Sequence, residues 1–138
     1  MATVLERFGS FSAGLRAAGL DDTVRHHARR AVIDWFAATL PGGVMPPATL
    51  VARALADQVG QGGATLLPAG TPAGGQAAAL INGTAAHTVE FDDIYRDGLY
   101  HPGAPTIAAA LAAAELAAAD GDTLLAGVVA GYEVSNRI

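Results

Sequence analysis

The sequence predicts an all-α protein, a bundle of about six helices. Apolar residues recur at spacings of three and four along almost every segment, alternation with a period of two is nearly absent, and proline and glycine mark the predicted helix ends. The 138 residues are enough for one domain, and 51% of them are hydrophobic while 15% are charged. A chain of this composition is expected to fold around a buried core.

The first three helices are predicted from the N-terminal half of the chain. The second helix can be capped by Asp21 or Asp22, and we expect it to stop at Pro41, with Gly42 in a left-handed exit. A third helix begins at "PPATLV", with proline in its first turn. The first helix is predicted over residues 3–18, because four large side chains line one face: Leu5, Phe8, Phe11 and Leu15.

The second half of the chain opens with a segment rich in glycine and proline, residues 60–75. We predict a loop there with one brief extended piece, which repositions the next helix over residues 73–87. Two more helices, "PTIAAALAAAELAAADG" and "DTLLAGVVAGYEVSNRI", are divided at Gly121, with Asp122 or Thr123 as the cap. The last segment is apolar to its end, so we expect a partner or a further part of the polypeptide to cover some of this surface.

Composition excludes several classes of function. The net charge of −5 argues against nucleic acid and anionic membranes as partners, because both require a basic surface. All basic residues are arginine and there is no cysteine, so a lysine Schiff base, a thiol nucleophile and a cysteine-ligated metal are excluded for these residues. No export signal or membrane span is predicted, and the expected location is the cytoplasm.

One segment, "AHTVEFDDIYRDGLYHPGAP" at residues 86–105, concentrates ionisable groups between two apolar helices. Loops held by rigid helices commonly carry reactive groups. Imidazole and carboxylate groups together can act as acid and base near neutral pH, so this segment predicts proton transfer. Its ionisable residues are His87, Glu90, Asp92, Asp93, Arg96, Asp97 and His101.

Each of these residues also has a structural interpretation. His87 at a helix end can be a packed, hydrogen-bonded side chain, and Asp92 and Asp93 are common turn and cap residues. His101 is the strongest functional candidate, because Pro102 restrains the backbone after it and the N-terminus of the next helix attracts carboxylates. A metal site formed by the two histidines and two aspartates is the other interpretation, but the spacing matches no regular motif and we predict no metal.

Three linked blocks of sequence resemble the MmgE/PrpD family, which includes 2-methylcitrate dehydratase, cis-aconitate decarboxylase and iminodisuccinate epimerase. The blocks are "AAALINGTAAHTVEFDD", "HPGAPTIAAALAAAE" and "LLAGVVAGYEVSNRI", in the family's order and at its usual separations. The earlier "RRAVIDWFAATLPGG" also resembles the family's N-terminal helices. The resemblance covers nearly all of residues 1–138, as a partial N-terminal helical domain, and about the first third of a family member.

The resemblance implies a site for a small di- or tricarboxylate with no cofactor. His101 matches the histidine of the family's "HP" block and is our candidate for proton transfer. Ile94 stands where several members have threonine, and Glu90 where many have aspartate, which leaves the substrate open. The implied catalytic residues are His101, Asp93 and Asp92, and the implied substrate-binding residues are Asn82, His87 and Glu90.

The functional hypothesis is therefore that the chain forms part of a lyase or isomerase. Such an enzyme moves protons next to a carboxylate, as in 2-methylcitrate dehydration. By resemblance, the family's catalytic lysines and second domain would lie beyond Ile138, so activity is expected to need that remainder. The expected partners are a second copy of the chain, as a homodimer, or a complementary chain that supplies the missing domain. The alternative hypothesis is a non-catalytic helical dimerisation module, or a truncated relic of such an enzyme.

Overall fold

The computed structural model describes all 138 residues and is mostly helical. Six α-helices follow one another along the chain, with a two-stranded antiparallel sheet between the third and the fourth. The helices are α1 Val4–Gly14, α2 Asp22–Gly42, α3 Ala48–Ala54, α4 Gly75–Thr88, α5 Gly103–Leu116 and α6 Gly121–Ser135, and the strands are β1 Val59–Leu66 and β2 Thr71–Ala73.

The central element is α4, which packs against α2, α3, α5 and the sheet. Its buried residues are mainly alanines, whose small side chains let the neighbouring backbones come close. One cluster of core residues joins α4 to the sheet through Leu66, Ala73 and Ile81. A second joins it to α2, α5 and α6 around Trp35 and Ile107. The C-terminal end of α4, where His87 lies, is therefore held from several sides.

The sheet corrects the all-α prediction. Residues 64–66 pair with 71–73, and the alternate side chains Ala64 and Leu66 are buried against α4. The earlier part of β1 contains Gly60, Gly62 and Gly63, which have no side chains to alternate between two faces. The expected brief extended piece is thus a strand of a hairpin, and tertiary packing stabilises it where its intrinsic propensity is low.

Several predicted helix ends are also wrong, and α1 ends at Gly14 rather than at residue 18. Pro41 lies inside the last turn of α2, where only one carbonyl loses its partner, and Gly42 is still helical. Gly42 is needed instead for close approach, because a methyl group there would overlap the carbonyl oxygen of Ala85 in α4. At α6 the cap is Asp120, which accepts a hydrogen bond from the Thr123 N–H at 2.8 Å. The predicted cap at Asp21 is confirmed for α2.

Asn82 joins α4 to β1 through its side-chain amide. Its Oδ1 accepts a hydrogen bond from the Leu67 N–H at 3.0 Å, and its Nδ2 donates to the Thr65 carbonyl at 2.8 Å. Asn82 is 2% exposed. Water therefore cannot replace either bond without a change in packing.

Replacing Asn82 with alanine is expected to lower the free energy of unfolding by about 2 kcal/mol, because it leaves the partly buried Leu67 N–H and Thr65 carbonyl without their partner. Urea unfolding followed by circular dichroism measures this loss. The matched control is Gln76→Ala, which removes an exposed amide from the same helix and should change stability by less than about 0.5 kcal/mol. Equal effects of the two substitutions would contradict the structural role of Asn82.

Candidate functional site

The segment between α4 and α5 folds back over the end of α4. Glu90 has a φ of 56°, in the left-handed region, directly after the helix. A short bridge between Tyr95 and Tyr100 then closes a loop that brings His101 next to His87. The two ends of the charged segment therefore meet at one place, as the prediction of a single site requires.

Asp92 lies between the two histidines. Both of its carboxylate oxygens are 3.2 Å from Nδ1 of His87, and Oδ1 is 3.3 Å from Nδ1 of His101. The contact with His101 is within ion-pair distance but lacks the alignment of a hydrogen bond. The Asp92 side chain is only 2% exposed. A buried carboxylate needs polar partners, and the ring nitrogens of the two histidines are placed to supply them.

Both imidazoles turn Nδ1 toward the carboxylate of Asp92. In the tautomer that carries its proton on Nδ1, each ring has a free lone pair on Nε2. The His101 ring is 25% exposed and its Nδ1 is buried, whereas the His87 side chain is 45% exposed. The ring centroids are 4.6 Å apart in an edge-on arrangement. This geometry is suited to a proton acceptor that is held and oriented by a carboxylate.

Asp93 has different partners from its neighbour. Its Oδ1 accepts a hydrogen bond from the Gly103 N–H, and its Oδ2 accepts one from the Tyr132 hydroxyl, each at 2.9 Å. Burial raises the pKa of Asp93, and the nearby carboxylates of Asp92 and Asp34 add to this, while the two hydrogen bonds oppose it. Burial and the charge of Asp93 also raise the pKa of Tyr132.

The raised pKa of Asp93 predicts a pH dependence of stability. A carboxyl group that binds its proton more tightly in the folded state destabilises that state as pH rises from the unfolded pKa through the folded pKa. Asp93→Asn is therefore expected to gain stability relative to the unsubstituted protein between about pH 4 and pH 7. Urea unfolding of both proteins at the two pH values measures the difference. A constant difference would contradict the prediction.

A cavity of about 860 Å³ lies beside this cluster. His87, Glu90 and His101 line it, together with Tyr100 and residues of α4 and α5. Glu90 is within 3.7 Å of Nε2 of His87, and its side chain is largely exposed. Asn82 is not among the lining residues, because its amide is bonded to β1. The structure thus brings His87, Glu90, Asp92 and His101 together and places Asn82 elsewhere.

The N-terminus of α5 is largely occupied by contacts within the chain. The Gly103 N–H is bonded to Asp93, Pro105 has no N–H, and the Thr106 N–H donates to the Pro102 carbonyl. Ala104 alone has an N–H left in the first turn that no internal bond uses. The predicted attraction of carboxylates to this helix end is therefore reduced.

Two imidazoles and a carboxylate are also a set of metal ligands. One ligand atom each from His87, Asp92 and His101 lies within 4.8 Å of the others. Such a set fits zinc, manganese or iron by its chemistry. The expectation that no metal is required stays a prediction.

Sequence reasoning missed Tyr132 and Gly103. A phenol on a helix that packs into the core usually finds a hydrogen-bond partner, and this signal was present in the block "AGYEVSNRI". Gly103 follows Pro102 and looks like an ordinary helix start. No sequence pattern therefore predicts its closeness to Asp93 and Tyr132.

Comparison with known proteins gives two positive results. The sequence matches the family model of the MmgE/PrpD N-terminal domain over residues 6–138. It is 27% identical over 131 residues to the cis-aconitate decarboxylase-like protein oryM of Aspergillus oryzae. That alignment covers 90% of this chain and 27% of the relative, so the chain spans about a quarter of the relative's length. No solved structure matches significantly, and no helix has the length and apolar character needed to cross a membrane.

Proposed function

Because the chain belongs to the MmgE/PrpD family, we propose that it forms part of a lyase or isomerase that acts on a small di- or tricarboxylate. The observation that carries this proposal is that His101 and His87 line the wall of one cavity, while the buried carboxylate of Asp92 contacts both rings. The relative's name refers to cis-aconitate, a tricarboxylate, which agrees with this substrate class.

His101 is the proton acceptor in the proposed reaction. Its Nε2 removes a proton from a carbon next to a carboxylate, and the resulting imidazolium is stabilised by Asp92 at 3.3 Å from Nδ1. In a dehydration, the electron pair of the broken C–H bond forms the double bond as the C–O bond breaks. Hydroxide then leaves with the proton as water. In an epimerisation, the proton returns to the other face of the same carbon.

The substrate's carboxylates need cationic partners that this wall does not contain. No arginine lines the cavity and the chain has no lysine, while Glu90 contributes a negative charge. The cations are therefore supplied from outside these 138 residues, by a further part of the polypeptide or by a partner chain. This requirement is consistent with a complete site formed only in the whole protein.

Proton exchange tests the proposal directly. The native gene product is incubated in deuterated buffer with 2-methylcitrate, cis-aconitate or iminodisuccinate, and NMR detects deuterium at the carbon beside the carboxylate, together with any product. Exchange or turnover of at least one acid is expected, and it should persist after treatment with a chelator if histidine rather than a metal performs the chemistry. No exchange with any acid would reject the enzyme hypothesis for this protein.

A second candidate function is a non-catalytic dimerisation module. It is favoured by large apolar side chains exposed near the site, which a second copy of the chain can cover. Analytical ultracentrifugation of the chain tests it, and a stable dimer that neither binds nor exchanges polycarboxylates would support it. The exposed side chains are Ile33, Leu40, Phe91, Ile94 and Leu99.

A further inference from the structure

We propose that Tyr132 is a positioning residue of this site, which acts through Asp93 to hold the His101–Pro102–Gly103 segment and thereby the His101 imidazole. The kinetic part of this inference rests on the proposed function. The structural part depends only on the contacts among these residues.

Tyr132 reaches the segment from α6, an element that is distant in sequence. Its ring packs at the edge of the core cluster around Trp35, and its hydroxyl donates a hydrogen bond to Oδ2 of Asp93 at 2.9 Å. Tyr132 does not line the 860 Å³ cavity. Tyr132 therefore acts indirectly, and its only side-chain hydrogen bond is to Asp93.

Asp93 transmits this contact to the first residue of α5. Its other oxygen, Oδ1, accepts the hydrogen bond from the Gly103 N–H. Gly103 is two residues after His101, and the intervening Pro102 has a φ of −68° that its ring restrains. Fixing the Gly103 amide therefore fixes the backbone on which the His101 side chain is mounted.

The packing around Gly103 leaves no room for adjustment. A methyl group on this residue would overlap Oδ1 of Asp93 and would lie 2.8 Å from the Tyr132 hydroxyl oxygen. The carboxylate is thus bonded to the Gly103 backbone, and the phenol hydroxyl occupies the space next to it. Removing the phenol hydroxyl would leave the carboxylate with one anchor and allow it to rotate.

Asp92 and Asp93 consequently restrain different parts of His101, the ring and the neighbouring main chain. Asp92 lies 3.3 Å from the ring nitrogen Nδ1, while Asp93 restrains the main chain two residues further on. Placement of a reacting group within a fraction of an ångström matters for rate, since a displacement of about 1 Å can reduce turnover about 100-fold.

Tyr132→Phe in the otherwise unchanged protein tests the inference, because it keeps the ring and deletes only the hydroxyl. Hydrogen exchange of the Gly103 amide is expected to accelerate by about 10-fold or more, and the NMR resonances of the His101 ring should shift. With a substrate identified by the exchange assay, kcat should fall about 10-fold or more while KM stays within about 2-fold. The control is Tyr95→Phe, whose hydroxyl makes no hydrogen bond in the structure.

A double substitution shows whether Tyr132 acts through Asp93. If it does, Tyr132→Phe should add nothing to the effect of Asp93→Ala on Gly103 exchange or on kcat. Additive effects, or unchanged Gly103 exchange in Tyr132→Phe, would overturn the inference. This outcome is distinct from failure of the proposed function, because Gly103 exchange is measured without substrate. Asp93→Asn, which retains the volume of the side chain, replaces Asp93→Ala if that variant does not fold.

Discussion

Turnover of a polycarboxylate substrate is expected to fall about 10²–10⁴-fold when His101 is replaced by alanine. The substitution removes the proposed proton acceptor from the cavity wall and leaves Asp92 with His87 as its remaining imidazole contact. Because His87 is more exposed and its ring is centred 4.6 Å away, it cannot replace the His101 ring at its position. KM should change less than kcat if His101 acts mainly in the chemical step.

The measurement is steady-state turnover, together with deuterium incorporation into the substrate. His26→Ala is the matched control, because His26 is an exposed histidine on α2 that does not line the cavity. Asp92→Asn should also reduce kcat, because an amide group can donate to Nδ1 and reverse the tautomer of the ring. Unchanged turnover in His101→Ala would remove His101 from the mechanism.

The free energy of unfolding is expected to fall by about 3 kcal/mol or more when Gly42 is replaced by alanine. The added methyl group would overlap the carbonyl oxygen of Ala85 and lie 2.9 Å from its carbonyl carbon. Both are backbone atoms of α4, so no side-chain rotation can relieve the overlap. The helices α2 and α4 must separate, and the end of α4 that carries His87 moves with them.

Urea unfolding measures this loss, and Gly9→Ala provides the control. Gly9 lies within α1 with no atom within 4 Å of an added methyl group, so its replacement should raise stability by about 0.5–1 kcal/mol. If Gly42→Ala were as stable as the unsubstituted protein, the close approach of α2 and α4 would be wrong. A loss of stability without a change at the site would limit the effect of Gly42 to packing.

Helices were predictable from the sequence where the spacing of apolar residues and the capping residues indicated the same boundaries. The start of α2 at Asp21 and the position of α4 follow from local patterns, and both are present. The sheet was not predictable, because the glycines of β1 carry no hydrophobic alternation and its stability comes from contacts with α4. The sequence predicts that glycine is needed at position 42 for a left-handed helix exit. The structure shows that it is needed for close contact with Ala85, a residue far along the chain.

The sequence was sufficient to predict which segment carries the candidate site, but not how its side chains contact one another. The concentration of acids and imidazoles in one segment predicts one site for all of them, and the structure places His87, Asp92 and His101 in contact while Asp93 has other partners. The different partners of Asp92 and Asp93 could not be read from two identical neighbours. The contact of Asp93 with Tyr132, 39 residues away in sequence, depends on how α6 packs.

The contrast between the two adjacent aspartates has a consequence for mutational studies. Loss of one residue between Phe91 and Ile94 would leave a single carboxylate, which could contact either the imidazoles or the anchor at Gly103. Substituting each aspartate separately should instead yield two unlike phenotypes, a chemical defect at position 92 and a geometric one at position 93. Two identical neighbours in the sequence thus have separate sets of contacts in the structure.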